Sequence, residues 1–474
     1  MFVGNFYWNL PTSFPTLAMT SVFYIIFLFA TFVLARTYRS YLRPIVLLIA
    51  NVVFLWSFSL NNLIVATMLA LFGYLVAFII DHKKSDAILY AGIVFYVLIL
   101  CFFKYYNFLN LKNIIMPLGL SFYSFKIMSY LFDVRSGKCE LQKNVLYYLD
   151  YVTFFPTIIA GPINRAKPFF EVLESSPEFD YLEAKGGAFQ MLLGIVEKMV
   201  FCDYIALITT NIFGNTELLG ANMFLGLVLY SFQIYLDFDA LSNIAIGSAR
   251  VLGFNLPKNF NSPYLASNLQ EFWHRWHISL STWFKDYIYI PLGGSRKGRI
   301  RKYVNILIVF VVSGLWHGST LNFLIWGILH GLVKMLEDLV LRPMRKKEFS
   351  KPVKVILYVF GVAFNFTVVS FLWLIFRCQT MNEAMMILNR MFTSQSLDFT
   401  LIGLTNNEII WMWMVMAITV IMDNLRSKTD MIAWFNKRNF VLRWLVYFIL
   451  LVLFIVFGVY GGSFDSSDFI YQFF

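Results

Sequence analysis

Long apolar runs recur along the chain at 17–35, 44–60, 63–80, 87–103, 114–132, 221–237, 321–340, 355–376, 407–423 and 440–459. Crossing a hydrocarbon layer takes roughly 20 predominantly apolar residues in a helix, and each run approaches that length. Two broken runs raise the expected count from ten spans to eleven or twelve. One is 187–213, interrupted by Glu197, Lys198 and Asp203; the other is 304–316, which ends at Trp316 and His317 before Gly318. The stretches 145–162 and 244–293 are too short or too polar to span and predict re-entrant or interfacial helices. No internal repeat or low-complexity tract is visible. The pattern predicts an all-α, polytopic membrane protein forming one integral domain over 1–474.

Composition agrees with the pattern. Of 474 residues, 59% are apolar, 19% aromatic and 14% charged, against about a quarter charged in a soluble domain. The net charge of +11 is the kind of excess that sits in cytoplasmic loops beside anionic lipid, so membrane lipid is the expected neighbour and nucleic acid is not. Met1 to Thr16 carries no basic residue resembling the start of a cleaved signal, and the first span is expected to be retained. Four cysteines, Cys101, Cys139, Cys202 and Cys378, form no CxxC pair and no metal-ligand spacing, which predicts structural thiols and no metal site.

Orientation follows from the basic loops. Arg36, Arg39 and Arg43 follow the first span, His82, Lys83 and Lys84 the third, and Arg135 and Lys138 the fifth. They alternate correctly with the N-terminus outside, and the same count places Arg296 to Lys302, Arg342 to Lys354 and Arg426 to Arg443 inside, provided that 145–162 enters and leaves on the cytoplasmic side.

Ionisable groups within membrane-depth segments are costly, so by default they mark function. His82 belongs to a charged loop and reads as solvated. His274 and His277 stand three apart, as neighbours on one helical face. Without a third ligand, and with Trp273, Trp276 and Trp283 interleaved with Arg275 and Lys285, the spacing favours an amphipathic interfacial helix over a metal pair. His317, in Ser313-Gly-Leu-Trp-His-Gly-Ser-Thr320, fits two roles equally: a desolvated neutral base able to take a hydroxyl proton, or a core histidine bonded to a carbonyl. His330 lies thirteen residues on, about 220° round a continuous helix, and shares a face with His317 only if Gly318 turns the chain.

Together these stretches carry a specific resemblance. Glu271-Phe-Trp-His-Arg-Trp-His-Ile-Ser-Leu-Ser-Thr-Trp-Phe-Lys-Asp-Tyr-Ile-Tyr-Ile-Pro-Leu-Gly-Gly294, followed by Gly314-Leu-Trp-His-Gly318, resembles the membrane-bound O-acyltransferase (MBOAT) superfamily. Pro117-Leu-Gly-Leu-Ser-Phe-Tyr123, Phe154-Phe-Pro-Thr-Ile-Ile-Ala-Gly-Pro-Ile163 with Arg165, Phe254-Asn-Leu-Pro-Lys-Asn-Phe-Asn-Ser-Pro-Tyr264 and the ending Asp468-Phe-Ile-Tyr-Gln-Phe-Phe extend it. The stretch ending at Gly294 looks like the alginate and peptidoglycan O-acetyltransferase branch. The chain departs from that branch at Phe238-Asp-Ala-Leu-Ser-Asn243, so no site role is carried to Ser242 or Asn243.

The resemblance implies a ring of tilted helices around a thinned centre, with the motif-bearing region at about 254–331. It implies His317 as the catalytic histidine and His277 as the second functional position. Trp273, Arg275, Trp276, Lys285, Asp286, Trp316, His330 and Asn261 are then expected to bind substrate. No bound cofactor is expected; the donor is acetyl-CoA or another acyl thioester. The implied activity moves an acyl group, acetyl first, from a cytoplasmic donor towards a hydroxyl on an extracytoplasmic cell-wall or exopolysaccharide acceptor, or towards a partner acetyltransferase outside a bacterial cytoplasmic membrane. One alternative is D-alanyl transfer to teichoic acid from a carrier protein. A second, of another class, is a transporter or flippase of polymer precursors, which internal inverted repeats would favour and this chain lacks.

Overall fold

A computed structural model describes residues 17–37, 42–106, 116–175, 178–344 and 349–459. Residues 1–16, Arg39, the middle of the basic loop expected over 342–354 and the ending from Asp468 lie outside them. Every regular element among the described residues is helical. Seven helices are long and apolar enough to cross a membrane: Leu60–Lys83, Asp86–Tyr105, Gly220–Val251, Arg299–His317, Lys351–Arg377, Asn406–Lys428 and Phe440–Phe457. Val22–Thr37 and Arg43–Phe58 are apolar but shorter. The chain is an all-α polytopic membrane protein. Phe440–Phe457 has no buried residue, as suits a helix facing lipid, which is as apolar as its side chains.

The chain groups into two units, Met1–Leu193 with Leu241–Pro257 and Gly194–Ala240 with Lys258–Phe474. In the first, the polar stretch 145–162 is broken into helices Val145–Thr153 and Phe155–Ile158. Exposed backbone at membrane depth needs partners from the protein, and two buried side chains supply them. Asn51 Nδ2 donates to Asp150 Oδ1 at 3.0 Å while its Oδ1 accepts from the Phe155 N–H at 2.9 Å. Lys126 donates to Thr157 Oγ1 at 2.8 Å and to the Tyr151 and Val152 carbonyls at 3.4 and 3.5 Å. Its amine thereby caps the C-terminal carbonyls of Val145–Thr153. Gly119, at φ +72°, leaves 2.4 Å between an added Cβ and the Ile158 carbonyl oxygen, so only glycine passes there.

The second unit also ties its helices with buried charge. A π-helical turn, Glu197–Cys202, sits in the run that Glu197, Lys198 and Asp203 interrupt. Lys198 Nζ lies 2.8 Å from Asp203 and 2.9 Å from Asp237, all buried. Arg426 reaches Asp239 at 2.7 Å and Glu197 at 3.3 Å, and the Tyr235 hydroxyl donates to Asp423 at 2.7 Å.

One boundary differs from expectation. The polar stretch predicted from 244 begins later, because Gly220–Val251 runs on for 32 residues. Ser231 and Ser248 donate to the carbonyls of Leu227 and Ile244 four residues back, which satisfies their hydroxyls without breaking the helix.

Arg299–His317 and Leu321–Met344 form a tight hairpin. A Cβ on Gly314 would come within 2.3 Å of the Phe323 carbonyl oxygen, and one on Gly327 within 2.3 Å of the Phe310 carbonyl oxygen. The two glycines let the backbones meet.

Breaking a buried ion pair strands its partner in a low dielectric, at about 3–5 kcal/mol. Lys198→Met should therefore lower the unfolding midpoint of the detergent-solubilised protein by several degrees, and Lys198→Met with Asp237→Asn should recover part of the loss. An unchanged midpoint in Lys198→Met would remove the pair from the account of stability.

Candidate active site

The motif region folds into two seven-residue helices, Leu269–Arg275 and Ile278–Phe284, joined through Trp276 and His277. His274 and His277 consequently do not share a helical face. The turn arises because His277 adopts φ +41°, a left-handed conformation that costs a non-glycine residue of order 1 kcal/mol and is retained where surroundings enforce it. Those surroundings centre on Asn259. Its backbone carbonyl accepts from Ile278 N–H at 2.8 Å, and its Oδ1 accepts the Ser279 hydroxyl at 2.8 Å and lies 3.2 Å from His277 Nδ1. Phe238 packs edge-on against the imidazole, with ring centres 4.6 Å apart. His277 Nε2 has no hydrogen-bond partner among the described residues. Burial pushes the imidazole down to about 3, so the ring is neutral at physiological pH and acts through a lone pair or an N–H.

The tryptophans of the segment also pack inward. Trp276 and Trp283 are buried, and Trp276 packs against Phe272 and Trp373 at 5.4 and 4.8 Å. Tyr264, whose hydroxyl donates to the Ser231 carbonyl and accepts from Trp373 Nε1, straps the preceding loop to the helices around it.

His317 ends its helix, and Gly318 turns the chain. Its ring contacts Trp316, Trp326 and Phe376 at centre distances of 4.8, 5.2 and 5.2 Å. Trp316 also lies 6.3 Å from His277. The turn at Gly318 brings His330 to the same tryptophan: Trp326 is 4.7 Å from His330, which is further enclosed by Trp273 at 5.1 Å and a parallel Phe310 at 5.7 Å. Neither nitrogen of His330 has a hydrogen-bond partner among the described residues. Three buried histidines thus line one aromatic chamber, His277 against Trp316, and His317 and His330 on Trp326.

A cavity of about 700 Å³ adjoins this chamber. Trp273, Phe310 and Ser313 line it, and Ser313 sits one helical turn before His317. Lys285, Arg299, Lys302 and Lys334 line it, with His274 and Asp338. Lys302 is paired with Asp338 at 2.8 Å. Burial and the nearby Lys334 and Lys285 charges hold His274 below the usual histidine range. Lys334 is paired with Glu337 at 3.1 Å, so the surplus positive charge of the wall comes from Lys285 and Arg299, which makes it attractive to phosphate.

Of the expected substrate-binding residues, Trp273 and Lys285 line this cavity, and Trp316 and His330 stand in the aromatic chamber. Arg275 is engaged elsewhere, with Glu271 at 2.6 Å and the Ser262 carbonyl at 3.4 Å. The Asn261 N–H donates to the Arg275 carbonyl, and Trp276 is a packing residue; Asp286 is half-buried and does not line the cavity. Ser242 and Asn243, in the first unit, bond the Ala160 carbonyl and Gln190. Sequence reasoning missed Asn259, Arg299, Lys302, Lys334 and Phe376. Trp326, His330, Lys334 and Asp338 recur every fourth residue, a spacing that places them along one face and could have pointed to Lys334.

The description MBOAT, membrane-bound O-acyltransferase family, matches residues 6–379. A probable alginate O-acetylase of Pseudomonas putida is 31% identical over 78% of this chain and 79% of its own length. The peptidoglycan O-acetyltransferase of Helicobacter pylori is 32% identical over 71% of each. A teichoic acid D-alanyltransferase of Bacillus subtilis is 29% identical over 47% of this chain and 58% of its own. An enzyme thus replaces the transporter alternative: the chain belongs to the membrane-bound O-acyltransferase family and is a multi-pass membrane O-acyltransferase.

Proposed function

We propose that this enzyme transfers acetyl from a cytoplasmic acetyl-CoA donor to a hydroxyl of an extracytoplasmic polysaccharide or peptidoglycan, directly or through a partner acetyltransferase, in a bacterial cytoplasmic membrane. One observation carries the reading: a cavity with four basic residues at its wall ends one helical turn from a buried histidine. Phosphates of the donor bind Lys285, Arg299 and Lys334, and the thioester arm runs inward along Trp273 and Phe310. The acceptor hydroxyl gives its proton to His317 as its oxygen attacks the thioester carbonyl. A C–O bond forms, the C–S bond breaks, and the thiolate leaving group recovers the proton. His277, neutral and fixed through Asn259, orients a reacting group. The acetyl assignment is favoured over D-alanyl because the O-acetyl-transferring relatives match over far more of the chain than the D-alanyl-transferring one.

A positioned base contributes about 10² to 10⁴ in rate. His317→Ala should abolish acylation at unchanged membrane abundance and unfolding midpoint, and His277→Ala should leave residual turnover. Activity that survives His317→Ala but is lost in His330→Ala would transfer the role to His330. On the donor side, Lys285→Glu combined with Arg299→Glu should raise the KM for acetyl-CoA about tenfold or more, since each charged contact is worth about 1.5–3 kcal/mol; an unchanged KM would place the donor elsewhere. For orientation, a cysteine at Ser350 should react with an impermeant maleimide only in inside-out vesicles, and labelling of intact cells would reverse the topology.

A further inference from the structure

We infer that a second, polar cavity, at the C-terminal end of the Lys351–Arg377 helix, binds a sugar residue of the acceptor glycan. The inference rests on the acyl-transfer reading above and adds to it the substrate class and its subsite. This cavity, of about 470 Å³, is lined among others by Arg377, Glu383, Gln233, Tyr230 and Thr210. It lies within the second unit and does not share a lining residue with the basic cavity.

Its position bears on the chemistry. Phe376, the residue before Arg377, forms a wall of the His317 ring at 5.2 Å. Asn322 fixes that helix end by donating to the Cys378 carbonyl at 2.7 Å. The basic cavity approaches His317 from the Arg299 end of its helix, whereas the polar cavity stands just past Phe376. With the basic loops inside, Lys351–Arg377 ends on the outer side, where the acceptor resides.

The side chains there have unspent hydrogen-bonding capacity. Arg377 is held by aromatic faces alone, with its guanidinium carbon 4.1 Å from the Phe213 ring centre and 5.6 Å from that of Tyr230. It makes no hydrogen bond or ion pair among the described residues, which leaves five N–H donors in a fixed plane. Glu383 accepts from the Gln379 N–H at 2.8 Å through one oxygen and forms no ion pair among those residues. Gln233 accepts the Thr209 hydroxyl at 2.6 Å, and its amide donors are unclaimed there. A half-buried arginine and a half-buried carboxylate thus face one cavity without closing on each other.

That combination selects the ligand. A lone anion would meet Glu383, and a lone cation would meet Arg377. A hydroxyl both donates and accepts, so neighbouring sugar hydroxyls can accept from Arg377 and the Gln233 amide while donating to Glu383. The apolar face of the ring then lies against Tyr230, in a cavity of ordinary ligand-site size.

The test uses the full-length protein in lipid nanodiscs, with two probes, chitotetraose and a β-1,4-linked mannuronate tetrasaccharide, titrated calorimetrically. At least one should bind saturably to wild type. Arg377→Gln and Glu383→Gln should each weaken that binding about tenfold, as expected for loss of a charged hydrogen-bond partner. Should either variant fail to fold, Gln379→Ala at the exposed rim provides the comparison, with a smaller loss. His317→Ala should retain binding and lose acetyl transfer. If wild type binds neither probe, or if affinity is unchanged in Arg377→Gln and Gln379→Ala, the inference is overturned. If instead a serine-containing hexapeptide is acetylated in an Arg377-dependent way and neither sugar binds, the occupant is a protein hydroxyl and the sugar assignment is wrong. Transfer surviving in His317→Ala would refute the catalytic reading while leaving the binding result intact.

Discussion

The close crossing of two helices at Gly314 and Gly327 sets the geometry of the whole chamber. Each glycine is packed against a backbone carbonyl of the opposite helix, with no room for a Cβ. Lipid tails offer helices no hydrophobic incentive to associate, so bare backbone approach and interhelical contact must hold them. His317 and His330 each stand three residues beyond a crossing glycine, nearly one turn on, and both rings meet Trp326 between them. A larger residue at either glycine would push the helices apart and move His317 away from Trp326, which stands with His330 on the opposite helix. The arrangement of these two histidines is therefore determined first by which residues lack a side chain.

Within each unit, polar side chains hold irregular backbone. Asn51 and Lys126 secure the broken stretch after residue 145, Asn259 secures the turn at His277, and Asn322 secures the end of Lys351–Arg377. In each case the side chain bonds a backbone group that a helix break has released, which is the condition for non-helical backbone at membrane depth. The Lys198 and Arg426 clusters differ, because they join helices through charge. Such pairs contribute little net stability over apolar packing, yet are costly to break.

The spans were legible because the bilayer fixes how long an apolar run must be, and Leu60–Lys83 or Asn406–Lys428 could scarcely be read otherwise. By sequence alone His317 fitted a proton-taking and a packing role equally, and the spacing at His277 favoured an interfacial helix, so the site roles expected of both came only from the resemblance of their motifs. What escaped the sequence depended on tertiary contact. Nothing local announces that His277 takes a left-handed backbone, because the cause, Asn259, lies eighteen residues upstream; the nearby Asn261 was an equally plausible reading of the same stretch. Arg275 was expected to bind substrate, and its pairing with Glu271 one turn earlier is a detail that the motif did not announce. Lys334 and Arg299 come from helices whose pairing the glycines decide, and no periodicity within either helix predicts that their cations will share a wall.

The separation of charge from the reacting centre follows from the same hairpin. Arg299 and Ser313 stand fourteen residues apart on one helix, about 21 Å at 1.5 Å per residue. Under the proposed function, Arg299 can therefore hold an anionic donor far from the His317 ring, whose immediate neighbours are aromatic. A cation beside His317 would favour the neutral imidazole but also raise the cost of the imidazolium formed when it takes a proton. In the proposed reaction Arg299 grips the donor by charge from a helix length away while proton transfer occurs among aromatic side chains, and Lys334, one turn from His330, is paired with Glu337 at 3.1 Å, which tempers its field there. Distance along Arg299–His317 thus reconciles two electrostatic demands that a compact site would set against each other.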